Sequence, residues 1–128
     1  MSKQTSSPGD QLPLSPAVFH ILLALADEER HGYGIMQEVE RRTHGQVQLG
    51  PGTLYGAIKR LLANGLIAEV DERPDPELDD ERRRYYRLTD FGVGVLSAEA
   101  ARLDELVRQA RAKQLLPSPI TNLIGQGA

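Results

Sequence analysis

Three histidines and two adjacent aspartates are the side chains in this 128-residue sequence best suited to acid–base or metal chemistry. His31 and His44 lie thirteen positions apart and His20 lies upstream, a spacing that fits no common metal-ligand signature. Asp79 and Asp80 fall in a polar, proline-containing segment, where burial is not expected to tune a carboxyl pKa. The chain has no cysteine, which excludes thiolate nucleophiles, disulfides and cysteine-ligated metals. We therefore expect solvated or core histidines, no cofactor, and a protein that is not an enzyme.

A second set of side chains suits contact with nucleic acid. The stretch 50–65 opens with small residues and a hydroxyl, as needed where backbone amides approach a phosphate. Thr53 and Tyr55 lie at the end of this predicted helix that would reach base edges, and Lys59 and Arg60 lie one to two turns later, where phosphates would be. The same residues also fit an amphipathic helix with a solvated basic face, so both interpretations stay open at this point.

The densest basic run of the chain consists of Arg82, Arg83 and Arg84. Strand alternation sends Arg83 to the face opposite Tyr86. Beside a recognition helix, such a strand would follow the phosphate backbone or enter a minor groove. The alternative is internal pairing of the arginines with the acids at 79–81, which would be weak at a surface.

Composition and charge limit the class of protein. Hydrophobic residues make up 40% and charged residues 26%, typical of one soluble globular domain. The net charge of −3 is concentrated in residues 65–88, which hold five basic and eight acidic side chains, so it does not exclude DNA binding. No apolar run reaches the roughly 20 residues of a membrane helix, and no secretory signal is visible. We expect a cytoplasmic protein with no membrane partner.

Periodicity and capping signals predict the elements that position these side chains. Ser15 and Thr89 are the predicted caps of the first and last helices. Residues 72–81 are expected to be irregular, which leaves a hairpin with a long, acidic loop. The predicted helices are Pro16–Ala26, Tyr33–Thr43, Pro51–Asn64 and one beginning at Asp90, and the predicted strands are Leu66–Asp71 and Arg82–Leu88.

The second and last helices carry further expectations. In the second helix, Tyr33, Met36 and Val39 are predicted to face inward, and Glu38, Arg41 and Arg42 outward. The last helix has apolar residues at heptad spacing, a seam that favours a homodimer. The seam residues are Leu96, Ala100, Leu103, Val107 and Ala110.

The predicted fold class is mainly α with a β-hairpin, a winged helix-turn-helix followed by a C-terminal dimerisation helix. The expected divisions are a flexible arm at 1–13, a DNA-binding domain at 14–88, a dimerisation helix at 89–113 and a tail at 114–128. Small domains with this element order also serve in protein docking, so the alternative is a winged-helix interaction module that does not bind DNA.

Three motifs resemble the PadR-type transcriptional regulators. They are His31-Gly-Tyr-Gly-Ile with Glu38 downstream, Pro51-Gly-Thr-Leu-Tyr-Gly-Ala-Ile-Lys-Arg-Leu with Gly65-Leu-Ile, and Arg84-Tyr-Tyr-Arg-Leu-Thr-Asp-Phe-Gly. Together they span about 14–95 in the order and spacing of the family. A single C-terminal helix is similar to the short-tailed branch of that family.

The resemblance implies a winged helix with a C-terminal dimerisation helix and, in most members, a dimeric repressor released by small aromatic or drug-like molecules. It implies that Thr53, Tyr55 and Lys59 face the major groove of a pseudo-palindromic operator. It implies that Tyr33 lies near the DNA backbone and that Tyr86 belongs to the core of the wing. Two features depart from the family's pattern. The wing loop is long and acidic, which bears on contact of its tip with DNA, and the chain has no tryptophan, which some drug-binding relatives use to sandwich flat ligands.

Overall fold

Four helices and three short strands form the part of the chain that the structure describes, residues 7–74 and 82–118 of a computed structural model. The fold is mainly helical with a small antiparallel sheet, which confirms the predicted winged helix-turn-helix. In chain order the elements are a 3-10 turn (Pro8–Gln11), α1 (Pro16–Ala24), β1 (Arg30–His31), α2 (Gly32–Arg42), α3 (Pro51–Ala63), β2 (Ile67–Pro74), β3 (Arg82–Leu88) and α4 (Asp90–Ala112).

Both predicted hydroxyl caps are confirmed. The Ser15 hydroxyl accepts a hydrogen bond from the Val18 amide at 3.2 Å, at the start of α1. The Thr89 hydroxyl accepts from the Gly92 amide at 3.0 Å and donates to the Gly65 carbonyl at 2.6 Å. Thr89 therefore starts α4 and also ties that start to the turn that follows α3.

One hydrophobic core joins all four helices. Tyr86 of β3 closes it from the sheet side and is only 6% exposed, as expected for a core residue of the wing. Because α4 contributes to the same core, its first half packs as part of the winged helix. The helical members of the core include Ile21, Leu22, Ile35, Val39, Leu54, Ile58, Leu61, Val95 and Leu96.

The inward face of α2 differs from the predicted stripe. Ile35 is fully buried where Tyr33 was expected inward, and Tyr33 is 43% exposed. The side chain of Glu38, expected outward, is only 10% exposed and lies within ion-pair distance of Arg30, Arg41 and Arg42. The prediction was wrong because the pattern of apolar residues gives no information on buried charges. The three arginines offset the cost of burying the Glu38 carboxylate.

The sheet has the order β1–β3–β2, and neighbouring strands are antiparallel. The two-residue β1 was not predicted. The register of β2 against β3 shifts between Glu69 and Glu72, and pairing then continues as far as Pro74 opposite Arg82. Residues 72–74, which were expected to be irregular, are therefore part of the strand. Proline is tolerated there because β2 is an edge strand of the described sheet. The rest of the predicted loop, 75–81, lies outside the described residues.

The N-terminal segment packs on α4. The Leu14 amide donates to the Glu99 carboxylate at 3.2 Å, and a Cβ at Gly94 would lie 3.3 Å from Pro8. The described part of the predicted flexible arm, 7–13, is therefore placed against the last helix rather than extending from it; residues 1–6 lie outside the described residues.

Candidate nucleic-acid interface

The outer face of α3 is cationic and polar. Thr53, Tyr55, Lys59 and Arg60 are all exposed, as predicted from the helical period, while Leu54 of the same helix is buried. The helix holds two basic side chains and no acidic one. Its N-terminal turn is bare, because a Cβ added at Gly50 or at Gly52 would meet no atom within 4 Å. A phosphate or a base edge can therefore approach the backbone closely at this end.

Tyr55 connects α3 to the start of α2. Its ring lies against Gly32, where an added Cβ would sit 2.8 Å from the Tyr55 Cε1 and Cζ atoms. Only glycine leaves room for that contact. The side chain is nevertheless 50% exposed, so one edge of the ring remains available to a ligand.

Tyr33, one residue beyond Gly32, connects α2 to the wing strand. The guanidinium carbon of Arg83 lies 5.1 Å from the centre of the Tyr33 ring. That distance is within the range of a cation–π contact. Tyr33 and Arg83, whose roles were predicted separately, therefore form one unit on the surface.

His31 lies beneath this unit and caps α2. Its Nδ1 accepts the Gly34 amide hydrogen at 2.9 Å and lies 3.3 Å from Nη1 of Arg83. Its ring meets Tyr85 edge to face, with ring centres 5.2 Å apart. The sequence-based prediction for His31 was only a solvated or core histidine, with metal binding as the weaker alternative. Its position directly before the glycine that opens α2 is the signal that could have indicated a cap.

Two other arginines of β3, Arg84 and Arg82, were also predicted to contact DNA. The Arg84 guanidinium lies 3.5 Å from the Glu69 carboxylate on the neighbouring strand, and both side chains are substantially exposed. Such a pair contributes about 0–1 kcal/mol, little enough to yield to a phosphate. The side chain of Arg82 and the acids at 79–81, its predicted internal partners, lie outside the described residues.

Arg60 lies back along α3. A Cβ at Gly56 would be 3.7 Å from the Arg60 Nη1 atom, so the guanidinium covers this glycine. The flat surface at Gly56 lets the charge of Arg60 reach toward the N-terminal half of the helix. We name the surface made by Tyr33, Thr53, Tyr55, Lys59, Arg60, Arg83 and Arg84 the cationic face.

A polar network fixes α2 behind the cationic face. Arg30 donates to the Ala24 carbonyl at 2.7 Å and lies 3.7 Å from Glu38. Arg42 lies 3.5 Å from Glu38 and 3.1 Å from Nδ1 of His20. Burial, together with the nearby charge of Arg42, lowers the pKa of His20, so this ring is neutral at pH 7. The network thus joins α1, β1 and α2.

The residues of the predicted dimer seam on α4 differ in burial. Leu96 is in the chain's own core, whereas Ala100 is exposed and Leu103, Val107 and Ala110 are half-buried. Leu106, which was not part of the prediction, is 48% exposed beside them. We name the surface of Leu103, Leu106, Val107 and Ala110 the apolar stripe.

Glu99 is the one charged side chain among the buried residues of the described chain, at 2% exposure. Arg102 donates to both of its carboxylate oxygens, at 2.7 and 2.8 Å, and the Leu14 amide adds a third hydrogen bond. The Arg102 hydrogen bonds lower the pKa of Glu99 although burial opposes them. The sequence did not indicate this group, because its amide partner is 85 residues away.

Two other kinds of feature are absent from residues 7–74 and 82–118. No cluster of three histidine or acidic side chains there has the geometry to hold a metal ion. None of the helices in these ranges has the length and apolarity required to cross a membrane.

Comparison with known proteins gave consistent matches. The family model described as "Transcriptional regulator PadR-like family" matches residues 21–98. A transcriptional regulator of Mycobacterium tuberculosis is 39% identical over 95 residues, covering 74% of this chain and 82% of that protein.

Solved structures share the fold. A PadR family transcription regulator from Clostridium difficile has a TM-score of 0.64 at 23% identity, covering 78% of this chain and 99% of that chain. The structure of Bacillus subtilis PadR in complex with operator DNA has a TM-score of 0.57 at 22% identity, covering 67% of this chain and 47% of that one.

Proposed function

Since the chain belongs to the PadR-like family of transcriptional regulators, we propose that it acts as a DNA-binding, homodimeric repressor with the cationic face as its operator contact. One observation carries the proposal. The ring of Tyr55 touches Gly32, and the next residue, Tyr33, supports Arg83, so that side chains of α3, α2 and β3 form one continuous surface. A groove-binding helix flanked by phosphate-binding groups requires such continuity.

Each part of the cationic face has a role in this proposal. Thr53 and Tyr55, at the open N-terminal end of α3, would contact base edges in the major groove. Lys59 and Arg60 would contact phosphates beside the groove. Arg83 and Arg84, with Arg82 from the same strand, would follow the backbone, and Tyr33 would lie against it.

The dimer is supported by the apolar stripe. An exposed Leu106 next to Leu103 and Val107 costs solvation free energy in a monomer, and that cost disappears when two α4 helices pack together. A two-fold dimer would present two α3 helices to a pseudo-palindromic operator. In this proposal residues 14–88 bind DNA and residues 89–113, which include α4, form the dimer. The first half of α4 also packs in the core of the DNA-binding domain.

Repression follows most simply from occupancy. A dimer on an operator that overlaps a promoter blocks polymerase by excluded volume, without further contacts. The resemblance to dimeric repressors that small aromatic or drug-like molecules release adds an effector to the proposal.

The test is binding of the purified protein to a labelled fragment from upstream of its own gene, compared with a scrambled fragment, at several salt concentrations. We expect the operator to bind on the order of 10³-fold more tightly than scrambled DNA, with affinity falling steeply as salt rises. Equal, salt-independent or undetectable binding to both fragments would reject the proposal in favour of a protein-interaction module. Repression itself is tested by a reporter under the same promoter with and without the protein.

A further inference from the structure

His31 contacts two elements of the cationic face at once. Its Nδ1 atom is shared between the Gly34 amide of α2 and the Arg83 guanidinium of β3, at 2.9 and 3.3 Å. An imidazole nitrogen accepts through one lone pair only, so both contacts require an Nδ1 that carries no proton. The neutral ring protonated on Nε2 is the one form of histidine that serves both.

Arg83 is held from two sides. The Tyr33 ring lies under its guanidinium at 5.1 Å, and Nδ1 of His31 approaches Nη1 at 3.3 Å. An arginine side chain loses rotamer entropy on binding a phosphate, and one that is held in place beforehand has already lost part of it. Register reinforces the arrangement, since His31 is opposite Tyr85 in the β1–β3 pair and their rings are in contact.

We infer that His31 is a positioning residue for DNA binding, which orients Arg83 on the cationic face only while its Nδ1 is unprotonated. The inference rests on the proposed function, because Arg83 matters here as a phosphate ligand. Protonation removes the acceptor from the Gly34 amide and places a second positive charge next to Arg83. Operator affinity therefore falls once the pH is low enough to protonate this ring.

The groups around the ring set the electrostatic background of this switch. His31 lines a polar cleft of about 560 Å³ next to the cationic face. Arg83 and Tyr85 face the ring from β3, and among the described residues three acidic and two basic side chains share the cleft. Those five are Glu28, Glu29 and Arg30 from the β1 side and Glu38 and Arg41 from α2.

The first arm of the test needs no DNA. Nitrogen NMR of the full chain distinguishes the two neutral tautomers of a histidine ring. At pH 8 we expect His31 with its proton on Nε2 and a slowly exchanging Gly34 amide. A ring protonated on Nδ1 would overturn the inference directly.

The second arm measures affinity for the operator fragment at pH 8 and pH 6. His31→Ser retains a helix cap, but its oxygen lies one bond nearer the backbone than Nδ1, which withdraws the acceptor from Arg83. At pH 8 we therefore expect an affinity loss of about three- to tenfold. The parent should lose affinity between pH 8 and pH 6, and the variant should not. His31→Asn keeps at the position of Nδ1 an acceptor, Oδ1, that takes up no proton, so it should bind about as tightly as the parent at pH 8 and lose no affinity at pH 6. It is also the cap-forming substitute if thermal melting shows the Ser variant to be unfolded.

A double variant of His31 and Arg83 distinguishes a positioning role of His31 from a general loss of structure. If His31 acts through Arg83, the double variant with Arg83→Ala binds no more weakly than Arg83→Ala alone. His44→Asn, at the exposed end of α2, is the matched control and should keep the parental pH profile. Additive losses, or an unchanged pH profile in His31→Asn, would overturn the inference while leaving the proposed function intact. A parent that binds no operator at either pH would reject the proposed function, and the inference with it.

Discussion

The cationic face and α4 use charge in opposite ways. On the cationic face, long side chains pack on one another at the surface, as Arg83 does on Tyr33, and these contacts are next to solvent. On α4, one carboxylate, Glu99, is withdrawn from water and satisfied by Arg102 and a backbone amide, beside an apolar stripe. We therefore expect substitutions on the cationic face to alter DNA binding with folding preserved, and substitutions on α4 to alter assembly or stability.

The largest effect is expected from a charge in the apolar stripe. Leu106→Glu costs little in a monomer, where the side chain is already 48% exposed, but would bury a charge in a dimer. Separated half-sites would then bind singly, lowering operator affinity on the order of 100-fold. Sedimentation measures the dimer and anisotropy the affinity. Ala101→Glu, on the polar side of α4, is the control; if both variants stay dimeric, the stripe is not the interface.

One type of substitution, made in both regions, tests the comparison directly. A Cβ at Gly92 overlaps the carbonyl oxygen of Leu66, which is backbone and cannot rotate away, so Gly92→Ala should cost about 2–3 kcal/mol of unfolding free energy. The three atoms nearest a Cβ at Gly32 all belong to the side chain of Tyr55, which can swing outward. Gly32→Ala should therefore leave stability nearly unchanged but lower operator affinity about fivefold.

Urea unfolding and operator titration of both variants supply the measurements. Gly94→Ala is the internal control for α4, because its Cβ would lie 3.3 Å from Cγ of Pro8, and the N-terminal segment needs to give by only a few tenths of an ångström there. Equal destabilisation at positions 92 and 32 would contradict the distinction between the two regions.

Glu99 should make the stability of the folded chain depend on pH in the acid range. Its pKa is lowered in the folded chain by the Arg102 hydrogen bonds, so its contribution to stability is present above the unfolded-state pKa and is lost as the pH falls through the folded-state value. Below about pH 4, we expect the parent to lose stability faster than Glu99→Gln. Thermal melts from pH 7 to pH 3 measure the difference; parallel curves would show that the carboxylate charge does not contribute.

The smallest effect is expected for a single phosphate contact. Lys59→Ala should weaken operator and scrambled DNA about equally and lower the salt slope of binding by about 1 per subunit. Thr53→Ala should instead reduce the preference for operator over scrambled DNA. Lys113→Ala, an exposed lysine after α4, is the matched control. If Lys59→Ala changes preference and not slope, the roles assigned along α3 are reversed.

Local signals in the sequence predicted most of the fold. Ser15 and Thr89 specify helix starts through their own hydroxyls, and β3 was predicted with its observed bounds, because caps and alternation act over a few residues. β1 was missed since its two residues are a strand only by virtue of pairing with Tyr85 and Tyr86.

Side-chain placement was predicted less well where distant partners decide it. The exposed positions of α3 follow from its period, but the burial of Glu38 depends on Arg30 from another element, and that of Glu99 on the N-terminal segment. The pairing of Tyr33 with Arg83 spans 50 residues of sequence and leaves no local pattern.

The double role of the Thr89 hydroxyl has a mechanical consequence. By donating to the Gly65 carbonyl at 2.6 Å while capping α4, it ties the start of the last helix to the turn that follows α3. In a dimer built on α4, the distance between the two α3 helices is then set by the angle at this joint. The DNA helix repeats about every 34–36 Å. A small change in the angle of α4 at Thr89 would therefore change which half-site spacing matches the separation of the two α3 helices. Thr89→Ala, tested on operators with half-sites moved by single base pairs, should broaden the range of spacings bound.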